Sequence, residues 1–299
     1  MASDSLWQKD LLTVCPWMDR YLSNSTLLPL DNALLNSKRR SESIRRAEAG
    51  NIEWNRWARE MTRLRVAHPD SKAIQFAATT DWQAASFTET VDLAGCLFPG
   101  SIQADDAIFF SEAFFTGIEV YGDFNLRNAQ FSDRGLWLDQ AKIYGSLRLN
   151  RAFLGGRVEL RSSVIARTAD FAESRFAGDL WATHMRFMGP TDVSYCRFRK
   201  DAVFHSSWFE ARADFTESEF KSAAGFEKCR FDNIANFEGC HFHQKVWMNG
   251  AHFHDAARIG SARFRDEIKL DGVRFDDAKA SDEIDILQDV QRANGISTV

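Results

Sequence analysis

Large apolar residues recur through most of this chain at alternating steps of five and six. In residues 213–242, ADFTESEFKSAAGFEKCRFDNIANFEGCHF, they are Phe215, Phe220, Phe226, Phe231, Phe237 and Phe242. A helix repeats its apolar face about every 3.6 residues and a strand every second residue. Neither element alone produces this spacing. With a single seven-residue step between Phe131 and Leu138, the phase runs back to Phe87, and it runs forward to Phe275. It covers thirty-five positions, twenty of them Phe, so chance does not account for it.

A second column keeps the same phase. Two residues before most of the large side chains stands a smaller one, often Ala: Ala202, Ala213, Ala224, Ala235, Ala251, Ala257 and Ala262, with Ser163, Ser174, Ser207 and Ser218 among them. Cys96, Cys196, Cys229 and Cys240 fall in this column too. They read as small inward residues, not as metal ligands or a disulfide framework. A fixed internal period over such a length marks a stacked repeat. When units alternate between five and six residues, a side keeps its length from coil to coil only if the number of sides is even. Two sides cannot enclose a core. Four sides give 22 residues per coil and about 8–9 coils, a rod of roughly 40 Å at the ~4.8 Å spacing of stacked strands.

The A-x-F-x-x pattern resembles the pentapeptide-repeat family, in a Phe-rich variant with one residue added to every second unit. The resemblance implies an all-β solenoid over residues 81–276: a right-handed quadrilateral β-helix whose large residue, and the small one two before it, point inward. The family unit has five residues, so the sixth leaves the turn types open. Gly50, Trp54, Asn55 and Trp57 resemble the G-x-x-x-W-N-x-W segment that often precedes such repeats. Residues 1–80 lack the period and read as a helical N-terminal capping region, with helices near 5–22, bent at Pro16, and 40–65. Trp54 and Trp57, three apart on one helical face, are expected to cover the open first coil. Residues 277–299 read as a tail with a short C-terminal helix at 282–292, which either caps the far end or pairs two molecules as a homodimer.

No nucleophile elbow, P-loop, HExxH or dinucleotide fingerprint occurs. The expectation is a protein that is not an enzyme and has neither cofactor nor metal. Cys240-His241-Phe242-His243 and His252-Phe253-His254-Asp255 have metal-like spacing. They lie 11 residues apart, however, which is half a coil, so their outward histidines belong to opposite solvated sides. The opening MASDSLWQKDLLTVC lacks a basic stretch followed by a long apolar one, and no apolar run reaches membrane length, so a cytoplasmic location without a membrane span is expected.

Residues 22 apart stack, so the outward residue before each large one can be read as a column. One column holds Trp137, Trp181, Val203 and Trp247. Large apolar side chains on an outer face mark contact sites, and these are the candidate partner-binding residues. The opposite column holds a short acidic row, Asp170, Asp192 and Asp214, between two basic columns. The net charge is −5, with acid concentrated in residues 81–130, so direct nucleic-acid binding is not expected. The expected function is a non-catalytic scaffold that binds another protein, of unspecified identity. The resemblance implies an alternative. Some members of the family imitate a DNA duplex, bind DNA gyrase or another topoisomerase, and confer fluoroquinolone resistance. That role calls for a strongly acidic rod, and this one is near neutral.

Overall fold

The computed structural model describes residues 4–23 and 33–276. Thirty-six two-residue strands run from Thr80–Asp81 to Arg274–Phe275. They form four parallel sheets of nine strands each, the four faces of a solenoid. The faces begin, in chain order, at Thr80–Asp81, Ser86–Phe87, Val91–Asp92 and Leu97–Phe98. Successive coils pair at the 22-residue offset, as in Ala213 with Ala235, Glu219 with His241, Ala224 with Val246 and Arg230 with His252. The quadrilateral read from the spacing is the observed fold. Its first strand, Thr80–Asp81, lies at the start of the 81–276 range read from the sequence, and Trp82, five residues before Phe87, is fully buried in the first coil.

The seven-residue step is absorbed at one corner. Gln130–Phe131 pairs 22 residues back, with Ile108 and Phe109, whereas Leu136–Trp137 pairs 23 back, with Ala113 and Phe114. The extra residue therefore lies between Phe131 and Leu136. Gly135 there has φ 103°, a left-handed value that a residue without Cβ adopts at little cost.

Inside, rings stack along each face. Phe215 lies 4.9 Å from Phe237 and Phe220 lies 4.7 Å from Phe242, both pairs stacked nearly parallel, while Phe215 meets Phe226 of the opposite face edge-on at 5.4 Å. Offset stacks and edge-to-face contacts are the arrangements that the ring quadrupole favours. Each such burial contributes roughly 1.5–3 kcal/mol before entropy is subtracted.

The corners differ in the way the five/six alternation demands. After Phe215 the chain makes a hydrogen-bonded turn, Ser218 N to Phe215 O at 3.1 Å, with Glu217 at φ 57°. A left-handed third residue is what a type II turn requires. Tyr195 and Lys228 occupy equivalent places at φ 56° and 53°. After Phe220, in the longer units, the corner is held by the neighbouring coil, with Lys221 N donating to Phe198 O at 2.8 Å. The small column also does more than leave room. Ser218 Oγ donates to Val193 O at 2.5 Å and accepts from Cys196 N at 2.9 Å, and the Cys196 and Cys240 thiols donate to Phe171 O and Phe215 O. These groups satisfy turn carbonyls that burial would otherwise leave unpaired.

Among the described residues five helices precede the solenoid: α1 (Asp4–Val14), α2 (Asp19–Ser23), α3 (Ala33–Glu48), α4 (Asn51–Ala67) and α5 (Lys72–Ala78), with a 3-10 turn at Pro16–Met18. Pro16 breaks the helix expected over 5–22, because its ring cannot continue the hydrogen-bond ladder. The single helix expected over 40–65 is two, since Gly50 at φ 86° turns the chain between α3 and α4. The helix expected at 282–292 lies outside the described residues. No helix among the described residues is long and apolar enough to cross a membrane.

Trp54 on α4 is fully buried, 4.8 Å from Phe98 and 5.8 Å from Trp82. Its neighbour Asn55 accepts from Leu97 N through Oδ1 at 3.0 Å. On the first face, the Ser43 hydroxyl of α3 accepts from Asp81 N, and Arg39 and Arg40 pair with the Asp81 carboxylate at 3.1 and 3.3 Å. The solenoid's first edge is thus closed by specific hydrogen bonds. Trp57 packs behind Trp54, with the Arg46 guanidinium 4.4 Å over its ring.

Candidate partner-binding face

The third face stacks Asp92, Phe114, Trp137, Glu159, Trp181, Val203, Gly225, Trp247 and Lys269 one above another. Each follows an inward residue of its strand, so pleat alternation turns it outward. The tryptophans are partly buried and partly exposed. Trp137 rests on Phe114 at 4.8 Å. Val203 is only 8% exposed and offers little contact surface. Gly225 carries no side chain, and the His205 imidazole fills the space, 2.3 Å from where a Cβ would stand. Trp247 is therefore set apart from the Trp137–Trp181 pair.

Glu159 lies between Trp137 and Trp181 and is 4% exposed. Burial pushes its carboxyl above the ordinary glutamate value, against the pull of Arg161 and Arg157, which pair with it at 2.8 and 3.3 Å. The same two guanidinium groups stand 5.2 and 6.0 Å from the Trp181 ring. The upper part of this face is thus two indoles, a buried carboxylate and two arginines in one connected group. The column placed Glu159 correctly in the sequence. Its burial was not legible there, because it follows from the two flanking rings.

On the first face, Asp170, Asp192 and Asp214 form the expected row, bounded by Arg148 and Asn236. Their carboxylates are engaged locally. Asp170 accepts from Ala172 N at 3.1 Å, Asp192 from Ser194 N at 2.9 Å and Asp214 from Thr216 N at 3.1 Å. Each aspartate therefore caps the turn that follows it, the usual use of a short acidic side chain. Burial raises the Asp170 carboxyl, the turn amide lowers it, and the neighbouring Asp192 charge raises it again.

The histidine pairs separate as their spacing implies. His241 belongs to the second face and His252 to the fourth. Cys240 is buried and donates inward.

A family model described as pentapeptide repeats (9 copies) matches residues 182–230, 211–246 and 237–279. No curated protein matches the sequence. The match spans residues 182–279, and over that stretch, with its stacked parallel sheets and inward phenylalanines at alternating fives and sixes, the chain is similar to the pentapeptide-repeat family.

Proposed function

We propose that this protein is a non-catalytic scaffold that holds another protein against its third face. The observation that carries the reading is the set of partly exposed Trp137, Trp181 and Trp247 on one rigid ladder. Rigid aromatic side chains dominate the energy of protein interfaces because they bury a large area at small entropic cost. The first two lie roughly 10 Å apart and the third roughly 14 Å further on, at ~4.8 Å per coil. Arg157 and Arg161 beside Trp181 supply the polar rim that such anchors use.

Duplex imitation has less support. The acidic row is three residues long, its carboxylates cap their own turns, and the adjacent faces carry Arg175, Arg197, Arg263 and Arg186, Arg230, Arg274. A DNA duplex presents unbroken negative charge.

The test changes Trp137, Trp181 and Trp247 to Ser together. Wild type should capture a defined protein from its host extract, and that protein, once purified, should bind wild type and not the variant, with the unfolding midpoint nearly unchanged. Undiminished binding by a folded variant counts against the face. A gyrase supercoiling assay tests the alternative, which requires inhibition at micromolar protein.

A further inference from the structure

We propose that His252, His254 and Asp276 bind a divalent ion of the zinc class, which clips the last two described coils together at the far end of the solenoid. The proposal is independent of the partner face.

His252 and His254 flank the inward Phe253, so both rings point out from the fourth face, their centroids 3.9 Å apart. One coil on, Arg274 pairs with His252 and Phe275 with Phe253, which sets Asp276 over His254. The Asp276 carboxylate already bridges both rings, Oδ1 to His252 Nε2 at 2.9 Å and Oδ2 to His254 Nδ1 at 2.7 Å. A nitrogen from each ring and a carboxylate oxygen lie within 4.8 Å of one another. Around zinc, at about 2.0–2.1 Å from nitrogen and 2.0–2.2 Å from oxygen, tetrahedral ligand atoms stand roughly 3.3 Å apart. Small side-chain rotations reach that spacing without moving the backbone. From the coil below, Asp232 Oδ1 stands 3.6 Å from the other ring nitrogen, His254 Nε2, and so lies outside the ligand set. Arg230 is the nearest cation below, and it is held by Asp232 at 2.5 Å. Arg274 is exposed beside His252.

Two imidazoles and a carboxylate suit zinc, nickel or copper, not magnesium or calcium, which take oxygen ligands. The second His-Phe-His provides an internal contrast. On the second face the residue 22 beyond His243 is Arg265, and His243 faces Lys221 at 3.3 Å and Glu219 at 3.2 Å. A cation stands there where the fourth face has Asp276, so of these two His-Phe-His segments the one on the fourth face is set up for a metal. A solenoid end needs such closure, and among the described residues no strand lies beyond the last one of each face.

The test titrates the untagged full chain, stripped with EDTA and dialysed, with zinc chloride by calorimetry, and with cobalt(II) by visible absorption. One saturable equivalent is expected, with cobalt bands of a four-coordinate site and a higher unfolding temperature. The variants His252→Ala with His254→Ala, and separately Asp276→Asn, which preserves side-chain shape, should each weaken binding about tenfold or more. His241→Ala with His243→Ala should bind as wild type. Absence of saturable binding, or equal affinity in wild type and in folded Asp276→Asn and double-histidine variants, overturns the proposal.

Discussion

The Trp54 indole N–H donates to the carbonyl oxygen of Leu97 at 2.9 Å, from a helix that precedes the solenoid to the first strand of its fourth face. A capping helix thereby supplies the partner that a preceding coil would have given. Trp54→Phe keeps most of the packing and removes this bond, and should cost about 0.5–1.5 kcal/mol. Trp54→Ala also opens a cavity against Trp82 and Phe98, and should cost about 3–5 kcal/mol. Urea unfolding of the full chain measures both.

Phe220 lies between Phe198 and Phe242, 4.7 Å from each. Phe220→Ala should destabilise by about 3–5 kcal/mol, because backbone ladders above and below prevent the site from collapsing. Phe220→Leu should cost clearly less, as Leu fills the same phase at Leu126 and Leu160. The unfolding midpoints of the two variants should keep that order.

All five cysteines are buried. Burial pushes the thiols of Cys96, Cys229 and Cys240 up to about 12, and raises those of Cys15 and Cys196. The thiolate is the reactive form. Ellman's reagent at pH 8 should therefore find essentially no reactive thiol in the folded chain and five in guanidinium. Rapid labelling of the folded protein would show that the column opens.

Glu159 titrates higher in the fold than in the unfolded chain, since burial opposes its charge. The folded state therefore holds the proton more tightly. The stabilisation from that proton is complete below the unfolded value of about 4.5 and is lost as pH rises through the folded value. Glu159→Gln mimics the protonated form without titrating. It should be more stable than wild type at pH 7, with the gap narrowing as pH falls toward 4. A gap that widens on acidification would show that Arg157 and Arg161 dominate instead.

Much of this architecture follows from spacing. Because Phe215 and Phe237 are 22 residues apart, and the units alternate, the number of sides, the stacking partners and the outward facing of Trp137, Trp181 and Asp192 are all legible in the sequence. The phase was first counted at Phe87, and Trp82 extends it by one unit to the first strand, Thr80–Asp81. Gly50 was visible in the sequence, yet whether a glycine bends a helix or ends it depends on what the next segment packs against.

The sequence by itself determined the solenoid, because a periodic core leaves only one way to bury every ring. Only the tertiary structure decided which outward groups meet. The burial of Glu159 between two tryptophans, the use of Asp170, Asp192 and Asp214 as turn caps, the closure of Leu97 by Trp54 and Asn55, and the approach of Asp276 to His252 and His254 all depend on side-chain rotamers and on contacts between coils. A period fixes where a side chain starts, and its neighbours in space fix where it ends.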